Sequence, residues 1–286
     1  EFANKFNPKK DWAKKLVKNA KEMGAKYITI TTRHHDGYSL FDTKNLTNYS
    51  TVKSPLGRDL IKEFCDECHK QGIIPFLYHT LLDWQHPDYK NNFDRYVQYL
   101  LDSVELLCKN YGEIGGFWFD GYWDKPDGNW RFDELVEMIH KYQPNALVIN
   151  NTGLSKTGEV SHKGIDVVTF ERGKTAKVHT PDRDRAGEMC ETLNDHWGYC
   201  KNDINFKTIP TLIDELMECR FNNCNMLLNT GLKGNGLMNG MDHEILSRIG
   251  QFLKFNKNIL DKVIGTDIKG EDFLLFEDEK HYKTDS

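Results

Sequence analysis

Apolar positions recur along the chain in two alternating rhythms. From Asp11 to Met23, Trp12, Leu16, Ala20 and Met23 fall three or four residues apart and Gly24 closes the run, which predicts an amphipathic helix with a glycine stop. Tyr27-Ile28-Thr29-Ile30-Thr31-Thr32 follows, a β-branched run suited to a strand. The alternation repeats: helix from Arg58 to Gln71 and strand from Ile73 to His79, helix from Phe93 to Lys109 and strand from Gly116 to Asp120, helix from Phe132 to Tyr142 and strand from Ala146 to Asn150. A strand from Asp166 to Glu171, a helix from Ile209 to Arg220, a strand from Asn225 to Asn229 and a helix from Met241 to Phe255 complete the pattern. Residues 43–56, rich in Asn, Thr and Ser, predict a loop. The polar stretch 172–208 predicts a long loop over the site with one short helix, and Glu188 and Glu191 fall in a block with a helical look.

Helices alternating with near-continuously apolar strands predict a parallel sheet covered by helices, an α/β fold. Polar residues repeatedly close the strands: His34, His79, Asp120, Asn150, Glu171 and Asn229. A doubly wound sheet gathers site residues at one switch point, whereas a barrel draws them from many strand ends. The second pattern is present, and it predicts a (β/α) TIM-like barrel.

The bulk numbers narrow the function. The 286 residues are 38% apolar and 12% aromatic, enough for one large core, and the net charge of −5 is spread along the chain, which argues against a nucleic-acid or anionic-membrane partner. No apolar stretch approaches a membrane span. Seven cysteines, an odd number, argue against a full disulfide framework and lean toward a cytoplasmic setting. Cys65 and Cys68 lie inside a helical pattern without a second pair at zinc-finger spacing. No cofactor motif is present, and no oligomeric state is legible.

The chemistry concentrates at strand ends. Asp120 closes Gly116-Phe117-Trp118-Phe119, and Gly121 lets the backbone turn away at once. Trp118, Tyr122 and Trp123 crowd the same spot, and aromatic platforms beside a carboxylate suit a sugar ring. Asp120 and Glu171 together form a carboxylate pair of the kind glycoside hydrolysis uses: one carboxyl protonates the leaving oxygen, and the other attacks the anomeric carbon or activates water. His34, His35, Asp36, Tyr78, His79 and Trp84 sit on neighbouring strand ends, placed to bind ring hydroxyls. A metal-dependent hydrolase is the rival reading, since His34, His35, Asp36, His79 and Asp120 are all ligand types. Adjacent His34 and His35 on a regular strand point to opposite faces, which argues against a shared ion, so no metal is expected.

At these residues a resemblance emerges. Lys26-Tyr27 through Thr31-Thr32-Arg33-His34-His35-Asp36-Gly37-Tyr38 resembles the "AKY…TTKHHDGF" signature of the α-L-fucosidases of glycoside hydrolase family 29, and Phe117-Trp118-Phe119-Asp120-Gly121 its nucleophile strand. Leu77-Tyr78-His79 through Asp83-Trp84 is similar to its "YYS…W" segment, with histidine for serine. Glu188-Met189-Cys190-Glu191-Thr192-Leu193-Asn194-Asp195 with Trp197-Gly198-Tyr199 resembles "WETC…N…WGY", and Asn225 to Gly231 resembles "NLLLNVGP".

The resemblance implies a retaining exo-α-L-fucosidase acting on fucosylated oligosaccharides or glycoconjugates, with Asp120 as nucleophile, and it adds Trp197 to the substrate contacts. For the general acid it leaves Glu171 first, then Glu191 and Glu188; Asp182, after Thr180-Pro181, is a further candidate. It also implies a catalytic barrel over residues 1–256, with 257–286 the start of a C-terminal β-sandwich or a tail. The family's first strand has no counterpart, so the barrel is expected to be incomplete at its amino end. A catalytically impaired fucose-binding barrel is the alternative function.

Overall fold

The computed structural model describes residues 5–257, 273–275 and 281–283. The strands are β1 (Tyr27–Arg33), β2 (Ile74–Thr80), β3 (Gly116–Asp120), β4 (Leu147–Asn150), β5 (Val167–Glu171), β6 (Val178–His179), β7 (Asp184–Thr192) and β8 (Cys224–Asn229). The helices are α1 (Trp12–Glu22), α2 (Leu60–Gln71), α3 (Pro87–Asn91), α4 (Phe93–Asn110), α5 (Phe132–Tyr142), α6 (Ile209–Phe221) and α7 (Gly240–Phe255). The expected sandwich over 257–286 falls largely outside the described residues; within it, β9 (Phe273–Leu275) and β10 (His281–Lys283) pair antiparallel.

Strands β1, β2, β3, β4, β5, β7 and β8 lie side by side in that order, all parallel, and β6 alone runs antiparallel on β7. The sheet curls far enough for Tyr27 on β1 to donate its hydroxyl hydrogen bond to Glu188 on β7 across the interior. This is the wall of a (β/α) barrel. Among the described residues no ladder joins β1 to β8.

Period-two alternation sorts the side chains into two cores. Outward-facing Leu77, Phe117, Phe119 and Val148 pack with Ile61, Phe64, Leu100, Leu107 and Leu135 of α2, α4 and α5. Each such aliphatic or aromatic side chain contributes about 1.5–3 kcal/mol on full burial. Inward-facing Phe76, Trp118, Ile149, Val167 and Cys190 fill the lumen, with Tyr27, Tyr78 and Leu227 against them. Local signals terminate the helices as the sequence pattern requires: Asp59 accepts from Lys62 N–H at 2.9 Å to cap α2, and Gly72 closes it in the left-handed conformation at φ 72°. Cys65 and Cys68 are buried on the inner face of α2.

One expectation is overturned. The stretch 172–208 holds β6 and the nine-residue strand β7, so the block with Glu188 and Glu191 is strand, not helix. Its polar composition hid it, because the lumen supplies partners to an inward carboxylate that a helix-facing surface would not. Gly187 permits the close approach of β8, since a Cβ there would stand 2.3 Å from Cys224 Sγ.

Candidate active site

The carboxyl ends of β1 to β5 converge on Asp120. It leaves β3 just before Gly121, whose φ of 88° turns the chain and where a Cβ would lie 2.5 Å from Leu82 Cβ. The carboxylate is held from several sides: Oδ2 accepts from the Tyr78 hydroxyl at 2.7 Å, and Oδ1 accepts from Gly121 N–H at 2.8 Å and from Asn151 Nδ2 at 3.2 Å. Tyr78, inward on β2, stacks between His34 (centroids 5.4 Å apart, planes at 2°) and Trp118 (5.5 Å, 16°). The three rings form an aromatic stack beside the carboxylate. Burial, then the neighbouring Asp120 charge, pushes the Tyr78 hydroxyl well above its ordinary range, so it stays a proton donor.

His34 and His35 lie beyond the last residue of β1, in a turn rather than on regular strand. Both rings therefore reach the same place, 4.1 Å apart, which corrects the expectation that they diverge. His35 Nε2 faces Asp120 Oδ2 at 3.5 Å, and its Nδ1 pairs with Thr80 Oγ1 at 2.6 Å. Desolvation first lowers the pKa of both rings, with Asp120 pulling the other way. Trp84 and Trp123, largely exposed on the rim, meet His35 edge-on with centroids 5.5 and 5.9 Å away.

Glu171 ends β5 facing the same mouth. Asn151 Nδ2 donates to its Oε2 at 2.7 Å as well as to Asp120, so one amide nitrogen joins the two carboxylates. Their bridged oxygens stand no farther apart than those two bonds laid end to end, compatible with the ~5–5.5 Å between the carboxyl groups of retaining glycosidases. Desolvation raises the Glu171 pKa, the Asn151 hydrogen bond opposes this, and the Asp120 charge adds to it. Asn151 itself is buried and pinned, its Oδ1 accepting from Thr169 Oγ1 at 2.9 Å and Gly153 N–H at 3.2 Å. The sequence reading missed Asn151 as a site residue; the available signal was its place directly after the strand-closing Asn150.

The remaining candidates separate. Glu188 sits deeper in the lumen, where Trp118 Nε1 donates to it at 2.8 Å and Tyr27 donates from the other side; burial raises its pKa against both bonds. Glu191, on the alternate face of β7, pairs with Lys207 at 3.0 Å. Asp182 lies on the surface in a cluster with Thr180 and Arg185 that lowers its pKa to about 2. Trp197 stands at the flank, under the Arg172 guanidinium at 4.9 Å from its ring centre.

His79 is a correction. It follows Tyr78 on β2 and so faces the opposite way, fully buried between sheet and helices, with Nδ1 2.7 Å from Thr32 Oγ1 and its ring against Phe41. It cannot reach a ligand in the barrel mouth. His79→Ala is expected to cost about 1–3 kcal/mol of stability, the penalty for a lost buried hydrogen bond and the void. The Michaelis constant should stay within about twofold; thermal melts beside steady-state kinetics check this, and a large rise in the constant at unchanged stability would contradict the placement.

Asn151→Ala is expected to shift the pH profile. Removing a donor from the Glu171 carboxylate disfavours its charged form, so the raised pKa rises further. The alkaline limb of kcat/KM then moves to higher pH, by roughly one to two units, since such a bond is worth ~1.5–3 kcal/mol and 1.36 kcal/mol is one unit. An unmoved or acid-shifted limb would contradict the bridge.

Comparison with known proteins agrees with this geometry. The sequence profile of the family described as Alpha-L-fucosidase matches residues 1–258. Alpha-L-fucosidase isoenzyme 1 from Paenibacillus thiaminolyticus is 34% identical and superposes with a TM-score of 0.84, covering 95% of this chain and 70% of its own. Alpha-L-fucosidase AlfC from Lactobacillus casei, solved with its alpha-L-fucose product, is 26% identical with a TM-score of 0.76, covering 90% and 84%. The tissue alpha-L-fucosidase of Bos taurus is 29% identical over 265 residues, 88% of this chain and 54% of that protein. The chain thus spans about half the length of the curated relatives it matches. With the family profile running over nearly all of the described barrel and a bacterial relative above 30% identity on the same fold, the chain belongs to the alpha-L-fucosidase family, glycoside hydrolase family 29.

Proposed function

We propose that this chain hydrolyses terminal α-L-fucosyl groups from glycans with retention of configuration, through a covalent fucosyl-enzyme on Asp120. The observation that carries the reading is the Asn151 amide joining Asp120 and Glu171 beside an aromatic stack. Family membership supports it, as does the fucose product bound to the Lactobacillus casei relative.

In the first step Glu171, kept partly protonated by burial and by the Asp120 charge, passes its proton to the glycosidic oxygen as that bond breaks. An Asp120 oxygen attacks the anomeric carbon from the opposite face, and the positive charge developing on the sugar is met by the same carboxylate. In the second step the Glu171 carboxylate removes a proton from water, which displaces Asp120 and releases fucose. Tyr78, Gly121 N–H and Asn151 fix the nucleophile by hydrogen bonds, so little reorganisation is needed as charge moves. His34 and His35 supply ring nitrogens toward the sugar hydroxyls. The His34–Tyr78–Trp118 stack presents exposed His34 at the mouth, and Trp84 and Trp123 stand at the entrance to meet the apolar side of the ring.

The test is turnover of an aryl α-L-fucoside followed by proton NMR. Release of α-L-fucose as the first-formed anomer supports the reading. Saturable fucose binding without turnover would replace it with a sugar-binding barrel, and first-formed β-L-fucose would exclude a covalent intermediate.

A further inference from the structure

The same cluster has a second chemical capacity. His34, His35 and Asp120 each place a ligand atom within 4.8 Å of the others, on the ends of two different strands. The orientation of His35 is fixed from behind. Thr80 Oγ1 spends its single hydrogen on Leu82 O at 2.6 Å, so toward His35 Nδ1 it can only accept, at 2.6 Å. Nδ1 therefore carries the hydrogen, and in the neutral ring Nε2 presents a bare lone pair to Asp120 Oδ2 at 3.5 Å. Two acceptors facing each other in this way attract a cation between them. A ring nitrogen tied back to an oxygen partner is also the support that zinc-ligating histidines use.

We propose that His34, His35 and Asp120 form a binding site for a borderline-soft divalent transition ion, Zn2+ above all, and that such an ion blocks the barrel mouth reversibly. Two imidazoles and one carboxylate match the N/O ligand set of zinc, with ligand distances of about 2.0–2.2 Å. A tetrahedral ion at those distances sets its ligands roughly 3.4 Å apart; the His35–Asp120 separation already meets this, and exposed His34 closes the rest by a side-chain rotation. His34 opens to solvent, which leaves the fourth position for water. Mg2+ and Ca2+ require mainly oxygen ligands and are disfavoured. The ion uses the atoms assigned above to the sugar, so it excludes substrate and serves the reaction in no way. The inference rests on the proposed function only for this competition; ion binding itself stands on the geometry.

The test is calorimetric titration of the chelator-treated protein with Zn2+, alone and with saturating L-fucose, followed by Co2+ as a visible-absorbance probe of coordination. The expected result is Zn2+ binding weakened at least about tenfold by His34→Gln and by Asp120→Asn, with melting temperatures recorded to show that each variant folds. His196→Gln, which alters a surface His–Asp pair 2.7 Å apart elsewhere, should leave this site unchanged. L-fucose should weaken Zn2+ binding, and Mg2+ should give no comparable heat. Wild-type Zn2+ affinity in folded His34→Gln would overturn the proposal, as would a Co2+ spectrum lacking tetrahedral bands. Because the variants read ion binding without turnover, an inactive chain that still binds Zn2+ in this manner would sink the hydrolase reading and leave the ion site standing.

Discussion

Replacing Asp120 with alanine is expected to lower kcat on an aryl α-L-fucoside about a thousandfold or more, some 4 kcal/mol at the transition state. In the proposed mechanism the carboxylate supplies both the bond to the anomeric carbon and the negative charge opposite the oxocarbenium-like centre, and no neighbour replaces it. Glu188 is engaged by Tyr27 and Trp118 deeper in the lumen, and Glu191 by Lys207 on the other face of β7. The Michaelis constant should change much less, because the rim tryptophans and the histidines remain. A second readout separates loss of the nucleophile from loss of the fold. Azide fits the space the side chain vacates and attacks the same carbon, so the variant should regain part of its rate with azide and yield β-L-fucosyl azide. A folded variant with wild-type turnover would remove Asp120 from its role, and rescue giving only the α product would contradict the direction of attack.

Glu171→Ala is expected to split substrates by leaving group. With a natural saccharide the glycosidic oxygen needs a proton, and kcat should fall roughly 10²–10⁴-fold, the range for general acid catalysis. With an activated dinitrophenyl fucoside the bond breaks without protonation. Fucosylation should then be nearly normal, and loss of the base should leave the fucosyl-enzyme to accumulate as a burst. The pH dependence has a definite sign. Burial and the Asp120 charge raise the Glu171 pKa, so the protonated acid persists to higher pH than an exposed glutamate would allow, and activity falls as pH rises through that value. In the variant this alkaline limb should vanish for the activated substrate. Equal losses on both substrates would move the acid role to another carboxylate.

The arrangement that makes these effects large is the Asn151 bridge. Two carboxylates this close repel, and the Asp120 charge adds to the burial that raises the Glu171 pKa. A single neutral amide, itself pinned by Thr169 and Gly153, holds the two side chains at a fixed distance. It thereby fixes the carboxyl spacing that a retaining mechanism requires.

Local pattern alone determined much of this protein. The three-to-four spacing of apolar residues and the capping signals located α1, α2, α4, α5, α6 and α7, and the β-branched or apolar runs located six of the parallel strands, because periodicity and turn chemistry are short-range properties of the chain. Asp120 and Glu171 were legible for the same reason: a polar residue that closes an apolar strand has few places to go in a parallel sheet except the active end. Tertiary structure decided what depends on partners from elsewhere. Strand β7 looked like irregular or helical polar chain until Tyr27 and Trp118, both remote in sequence, supplied hydrogen bonds to Glu188. The facing of His79 turned on strand alternation, which sets it opposite to Tyr78 and buries it behind the sheet. His34 and His35 converge because both lie in the turn after β1 and not on regular strand, and Asn151 becomes a bridge only when β3, β4 and β5 bring three strand ends together. A periodic pattern states which residues share a face; only the packed sheet states what each face meets, and the chemistry of the site lies in those meetings.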